Sequence, residues 1–344
     1  MSNTPAADGF SMPAEWAPHE RTWMAWPSRN ETFGAEDLHA ARTAWGTVAE
    51  TIARYEPVTL ITDLGESDTV RDYVARPLTV LEHPLDDAWM RDIGPTFLTD
   101  GKGQVAAADW VFNGWGAQEW ASWEHDRHIA ERVVQAAGVR RYASRMVNEG
   151  GGIHVDGEGT VLITETVQLD RGRNPGWTKE QVEAELTAFL GVEKVIWLPR
   201  GLTRDYGLYG TRGHIDIVAS FARPGLVLVH VQPDPAHPDH EVGKENAALL
   251  RASTDAKGRA LEVVEIPAPT VLEAHDDWVD FSYINHYVAN GAVILCAFDD
   301  PRDQENAATF GKLFPGRTIE LVDAREIFAN GGGIHCITQQ QPKG

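Results

Sequence analysis

The 344-residue sequence contains only two cysteines, Cys296 and Cys336. They offer neither the disulfide framework of a small secreted fold nor the Cys-x-x-Cys spacing of a zinc site. Basic residues are also scarce: 30 Lys and Arg against 51 Asp and Glu leave a net charge of −21. That surplus repels nucleic acid and anionic membranes and favours the approach of small cations. No run of about 18 apolar residues occurs, so no membrane span is expected. The N-terminal stretch lacks a basic region followed by an apolar one, so no secretory leader is expected either. His-Glu-x-x-His, a Walker loop and a Gly-x-Gly-x-x-Gly helix opening are all missing, and neither a metal nor a cofactor is expected. These exclusions leave a reduced, cytoplasmic chain. Its 42% hydrophobic residues suffice for a substantial core.

No Pro/Gly/Ser linker divides the chain, so residues 1–344 read as one domain; a homo-oligomer is left open. Leu38, Ala41, Trp45, Val48 and Ile52 step by three and four, which predicts a helix over about 36–55. Val58 to Thr62 follows as a buried strand. From there two short strands, an amphipathic helix and another strand recur. Residues 153–155 and 161–164 flank the turn Asp156-Gly157-Glu158-Gly159. A helix opened by Thr178, with Gln181 in a capping box, ends near Gly191, and 195–198 is the next strand. Further copies fall at 215–266 and 281–322, and a less regular one at 95–142. A C-terminal strand at 334–338 and an N-terminal one at 22–26 would complete the fifth. The pattern predicts an α/β fold of about five ββαβ modules, closed at its two ends.

A literal echo supports the repeat: Gly150-Gly151-Gly152-Ile153-His154 recurs as Gly331-Gly332-Gly333-Ile334-His335. Glycines there would allow tight turns and close approach of a ligand. Asp92, Glu149, His214 and Cys336 fall at or just before the first strand of a copy, with Asn285 similarly placed. One centre would receive them all. Cys336 adjoins a triple-glycine turn and reads as a nucleophile, whereas Cys296 sits in Val293-Ile294-Leu295-Cys296-Ala297 and reads as core. His214 and Asp216 would share a face on a strand. The His/Asp-rich stretches at 235–240 and 275–278 raise the alternative of a binuclear metallohydrolase, but proline interrupts the first, which reads as a solvated loop.

Met12-Pro13-Ala14-Glu15-Trp16, the segment 89–96, Glu149-Gly150-Gly151, Gly213-His214-Ile215-Asp216 and Gly332-Gly333-Ile334-His335-Cys336-Ile337-Thr338 together resemble the agmatine deiminases. These belong to the peptidyl-arginine-deiminase-like branch of the guanidine-modifying enzymes. The resemblance spans nearly the whole chain. It implies a five-bladed, pseudo-symmetric α/β propeller of the pentein type around a central active site. It implies Cys336 as nucleophile, His214 as general acid/base and Glu149 as its partner. Asp92 and Asp216 would bind a guanidinium, Trp89 would line the pocket, and Asn285 would be a further active-site residue.

The implied reaction is metal-free hydrolysis of a cationic guanidinium compound. Agmatine would give N-carbamoylputrescine and ammonia through a covalent S-alkylthiouronium. Alternatives are a deiminase or dihydrolase acting on arginine, peptidyl arginine or another guanidino acid, a metal-dependent ureohydrolase, and a non-catalytic guanidine- or polyamine-binding protein. Two departures from the family pattern are Arg212, before Gly213, and the loop 168–175. A cation there would favour a substrate tail bearing a carboxylate. Burial should also raise the pKa of both aspartates in the empty site.

Overall fold

The computed structural model describes residues 4–28, 37–274 and 277–344. Its framework is five sheets built to one plan, an antiparallel pair followed by a parallel partner. Thr96–Thr99 pairs antiparallel with Val105–Val111, which pairs parallel with Arg140–Val147. The same order holds for His154–Val155, Thr160–Thr164 and Lys194–Leu198. It recurs in Ala219–Arg223, Leu226–Val231 and Glu262–Pro267, and in Tyr287–Ala289, Ala292–Ala297 and Thr318–Asp323. The fifth sheet joins the two ends of the chain. Thr338–Pro342 lies antiparallel to His19–Ala25, which pairs parallel with Val58–Thr62, and Thr79–Glu82 adds a fourth strand.

Composition explains the plan. Middle strands such as Thr160–Thr164 and Leu226–Val231 are nearly continuous apolar runs, as strands covered on both faces must be. A parallel neighbour needs a crossover, and one helix supplies each: Leu38–Ile52, Ile129–Ala137, Lys179–Leu190, Asp239–Arg251 and Arg302–Leu313. The Thr178 capping box forms with Gln181, and Gly191 closes that helix in the left-handed conformation. In the first helix Ala41, Trp45, Val48 and Ile52 are buried, the stripe read from the sequence. Its predicted start at Glu36 lies outside the described residues.

Three predicted strands begin late. Ile215–Ile217 is a 3-10 turn ahead of Ala219–Arg223, the strand near 281 starts at Tyr287, and the C-terminal strand starts at Thr338. His214 and Asp216 therefore meet through a turn rather than on one face of a strand. The loop at 235–240 is not wholly solvated. Asp239 is buried and accepts hydrogen bonds from Thr203 N (2.7 Å) and Oγ1 (2.6 Å), while buried His237 packs edge-on against Trp278. His275 and Asp276 lie outside the described residues. No described helix is long and apolar enough to cross a membrane.

Candidate active site

Each of the five sheets presents one of the singled-out residues just before its first strand. Asp92 lies on the short helix Met90–Ile93, ahead of Thr96–Thr99. Glu149 precedes the 3-10 turn Gly150–Gly152, and His214 precedes Ile215–Ile217. Asn285 stands before Tyr287–Ala289 and Cys336 before Thr338–Pro342. All five are buried.

The side chains converge. Asn285 Nδ2 donates to Cys336 Sγ at 3.2 Å and to the carbonyl of Asp216 at 3.3 Å. The Cys336 thiol lies 3.4 Å from Asp216 Oδ2. His214 Nε2 faces Glu149 Oε2 at 3.2 Å, and its Nδ1 lies 3.9 Å from Asp92 Oδ2. Gly151 sits among them: a Cβ there would stand 2.5 Å from His214 Nδ1 and 3.0 Å from both Asp216 Oδ2 and Asp92 Oδ1. The triple glycine at 150–152 thus serves close approach, and a left-handed φ is not needed there. Its echo also serves close approach, since a Cβ on Gly332 would lie 2.9 Å from the Trp89 ring and 3.0 Å from Cys336 Sγ, but there Gly331 does take a positive φ of 114°.

Electrostatics separates the two aspartates. Burial and the neighbouring Asp216 and Glu149 carboxylates raise Asp92 to about 6, although His214 opposes them. Asp216 departs from expectation and lies below the usual carboxylate range. Burial acts to raise it, but a 2.8 Å contact with His335 Nδ1 and the charge on that ring outweigh burial. Burial lowers His214, yet Asp92 and Glu149 together carry it to about 9, so it is a cation at neutral pH. Glu149 is held at about 2 against burial, chiefly by Arg173. Burial, Asp216 and Asp92 push the Cys336 thiol well up. Two buried polar atoms, His214 Nδ1 and Asp216 Oδ1, have no hydrogen-bond partner within the protein. A planar cation with several N–H donors is the complement of such carboxylates.

Sequence reasoning passed over three supports. Arg173 Nε reaches both oxygens of Glu149, at 3.0 and 2.9 Å, and its Nη2 donates to the Thr211 carbonyl at 2.7 Å. Asp205 accepts from the backbone of Thr211 (2.6 Å), Gly213 (2.6 Å) and His214 (3.2 Å), fixing the turn that delivers the imidazole. Trp115 Nε1 donates to Asp92 Oδ2 at 2.8 Å. Gly114, Trp115, Gly116 and Ala117 all have positive φ, a strained conformation for the two residues that are not glycine. The aromatic enclosed by glycines in Gly114-Trp115-Gly116 was the available signal. Trp89 packs edge-on against Trp45 with ring centroids 5.4 Å apart.

Arg212 does not act as a free cation. Its Nη1 lies 3.1 Å from Asp170 Oδ2, and Asp170 also holds Arg173 Nη1 at 3.1 Å. The loop 168–175 therefore supplies an anion against the unusual arginine, and the expected bias towards a carboxylate-bearing tail loses its basis. A cavity of about 650 Å³ is bounded by Asp205, Tyr209, Gly331 and the rings of Phe281, Phe298 and Phe328; of the site side chains named above it shares only Asp205. Among the described residues no group of three or more His, Cys, Asp or Glu side chains is arranged to hold a metal ion.

The chain matches the model of the Porphyromonas-type peptidyl-arginine deiminase family over residues 11–342. A relative from Streptomyces avermitilis is 66% identical over 99% of both chains. The agmatine deiminase of Pseudomonas aeruginosa is 41% identical over 99% of both. The solved structure of the Enterococcus faecalis agmatine deiminase superposes with a TM-score of 0.94 at 34% identity, covering 100% of this chain and 98% of that one.

Proposed function

Because the chain belongs to the Porphyromonas-type peptidyl-arginine deiminase family, we propose that it hydrolyses the guanidinium group of agmatine to N-carbamoylputrescine and ammonia. The observation that carries this reading is the gathering of a thiol, an imidazolium and two carboxylates around Gly151. Resonance makes a guanidinium a poor electrophile, so the site must hold it rigidly and supply a strong nucleophile. Asp92 and Asp216 take its N–H donors, and Trp89 walls the pocket beside Gly332. Binding a cation between them draws Asp92 to its ionised form and lowers the cost of ionising Cys336, whose thiol proton leaves to solvent as the thiolate forms.

The thiolate adds to the central carbon while His214, through Nδ1, protonates the departing ammonia. That leaves an S-alkylthiouronium on Cys336. The imidazole, now neutral, takes a proton from water as the water adds to the same carbon; the C–S bond then breaks and the ureido product leaves. Glu149 holds the imidazole by Nε2. Asn285 holds the sulfur through its Nδ2. We also read residues 1–344 as one domain, whose five sheets are the blades of a closed propeller around this centre. The shared sheet of the chain ends and the common position of the five site residues support that reading. Two free thiols suit a reducing cytoplasm.

An ammonia-release screen over agmatine, free arginine, a peptidyl arginine and guanidinobutyrate tests the assignment. Agmatine should give the highest kcat/KM, unaffected by excess chelator. Preference for a guanidino acid, or loss with EDTA that Mn²⁺ restores, would overturn it.

A further inference from the structure

The Met12–Trp16 motif touches none of the reacting groups described so far, yet its Glu15 is buried beneath the site. Glu15 Oε1 accepts from His335 Nε2 at 2.7 Å, and the other nitrogen of that ring donates to Asp216 Oδ2 at 2.8 Å. An imidazole whose two nitrogens both face carboxylates at these distances carries both protons. We infer that Glu15 and His335 are positioning residues for Asp216, forming a buried carboxylate–imidazolium–carboxylate line that presents Asp216 ionised to the guanidinium. This rests on the deiminase reading, because it assigns a reason to the substrate carboxylate that reading uses.

The surroundings account for each member. Arg91 Nη1 lies 3.5 Å from Glu15 Oε1, and Arg91 Nε donates to the His335 carbonyl at 3.3 Å. His154 accepts the Phe221 amide at Nδ1 (3.2 Å), so its ring proton sits on Nε2, 3.6 Å from Glu15 Oε2. Glu15 therefore has one hydrogen-bond donor, His335, and two further polar neighbours, Arg91 and His154, and lies well below its ordinary value although burial opposes this. The groups facing His335 are Glu15, Asp216, Arg91 and His154, with His286 and Cys336 nearby. Burial and Arg91 disfavour its charge, and the two carboxylates restore it. Without Glu15, the guanidinium of Arg91 would dominate and the ring would lose its proton. Asp216 would then lose its hydrogen-bonded counter-charge, keeping only the more distant His214 and Arg91, and would titrate upwards, beside an Asp92 that already does. His335 thus separates the two aspartates: one is ionised before substrate arrives and the other responds to it.

The test is Glu15→Gln, which keeps an acceptor for His335 and removes the charge. Two measurements are made on the full chain: the pH profile of kcat/KM for agmatine, and the titration of His335 by NMR of ¹⁵N-histidine-labelled protein. The parent His335 should be protonated at neutral pH, and in the variant it should be neutral. The acid limb of the variant should move to higher pH and steepen from one proton to two, with KM rising most below neutrality. A variant whose acid limb keeps the parent midpoint and slope, or whose His335 still titrates as in the parent, overturns the inference. If Glu15→Gln does not fold, His335→Gln carries the same kinetic test, with the same shifted and steeper limb expected. A parent that releases no ammonia from agmatine refutes the functional reading instead, and the His335 titration still decides the role of Glu15.

Discussion

His214 Nε2 stands 3.2 Å from Glu149 Oε2, and this contact decides which nitrogen of the ring can do chemistry. With Nε2 committed to a carboxylate, Nδ1 is the nitrogen left to face Asp92 and Gly151. Glu149 can serve as that anchor only while it is ionised and still. Arg173 secures both conditions by bonding each oxygen from within the same buried layer. The proposed acid/base group is therefore set by a chain of charges running Arg212, Asp170, Arg173, Glu149, His214.

Arg173→Met tests that chain. Both side chains of the Arg173–Glu149 pair are fully buried, so the substitution leaves a carboxylate without its main counter-charge. Breaking a buried pair from one side costs about 3–5 kcal/mol. The urea midpoint should fall accordingly and kcat should fall with it, since Glu149 then gains a proton and releases the imidazole. An unaltered midpoint would contradict the assignment.

The pH profile of the parent follows from two groups. Asp92, raised to about 6 mainly by burial, must ionise to hold the substrate, so kcat/KM should rise through that value. His214 must carry a proton to release ammonia, and it loses that proton through about 9, so the profile should fall there. The sign for stability agrees. A histidine raised in the folded state stabilises fully below its ordinary value, and that contribution disappears as pH climbs through about 9. A fall near the free-histidine value of about 6.5 would remove His214 from the role.

Much of this was legible in the sequence because repetition marks position. The Gly-Gly-Gly-Ile-His echo, the capping box at Thr178 and the apolar middle strands each report a local rule that the fold obeys. Cys336, His214 and Asp92 stood out for the same reason: reactive side chains at one place in each module. The supports were hidden because their partners are distant in the chain. Glu15 finds His335 across 320 positions and Trp115 finds Asp92 across 23, and no periodicity encodes such pairs. The depressed Asp216 was misjudged on the same ground. Burial can be guessed from a motif, but a neighbouring imidazolium cannot.

Gly151→Ala probes the seat directly. The added methyl would intrude among His214 Nδ1, Asp216 Oδ2 and Asp92 Oδ1, all on buried side chains; Asp216 Oδ2 is held by His335 and Asp92 Oδ1 by the Gly151 amide. Backbone strain is not the cause, since Gly151 has an ordinary φ. The variant should lose roughly 1–3 kcal/mol of stability to overpacking, while KM for agmatine rises at least about tenfold, the weight of ~1.4 kcal/mol of binding. Parent-like KM would mean that the guanidinium sits elsewhere.

The two thiols give the sharpest contrast, because both touch Asn285. Cys336 receives its side-chain amide at 3.2 Å, whereas Cys296 donates to its backbone carbonyl at 3.1 Å from the middle strand Ala292–Ala297. Burial pushes Cys296 up to about 12, and the residue lies fully buried in the hydrophobic core. It has no route to a thiolate. Cys336 is also raised while the site is empty, but two of its causes are Asp216 and Asp92, and a guanidinium between those carboxylates would remove that repulsion. In the proposed reaction substrate itself would switch on one sulfur and leave the other inert. Cys336→Ser should abolish ammonia release and any covalent adduct seen by mass spectrometry of quenched enzyme. Cys296→Ser, whose hydroxyl can make the same bond to the Asn285 carbonyl, should keep kcat/KM close to the parent. Equal loss in the two variants would mean that neither sulfur is the nucleophile and that both act only through Asn285.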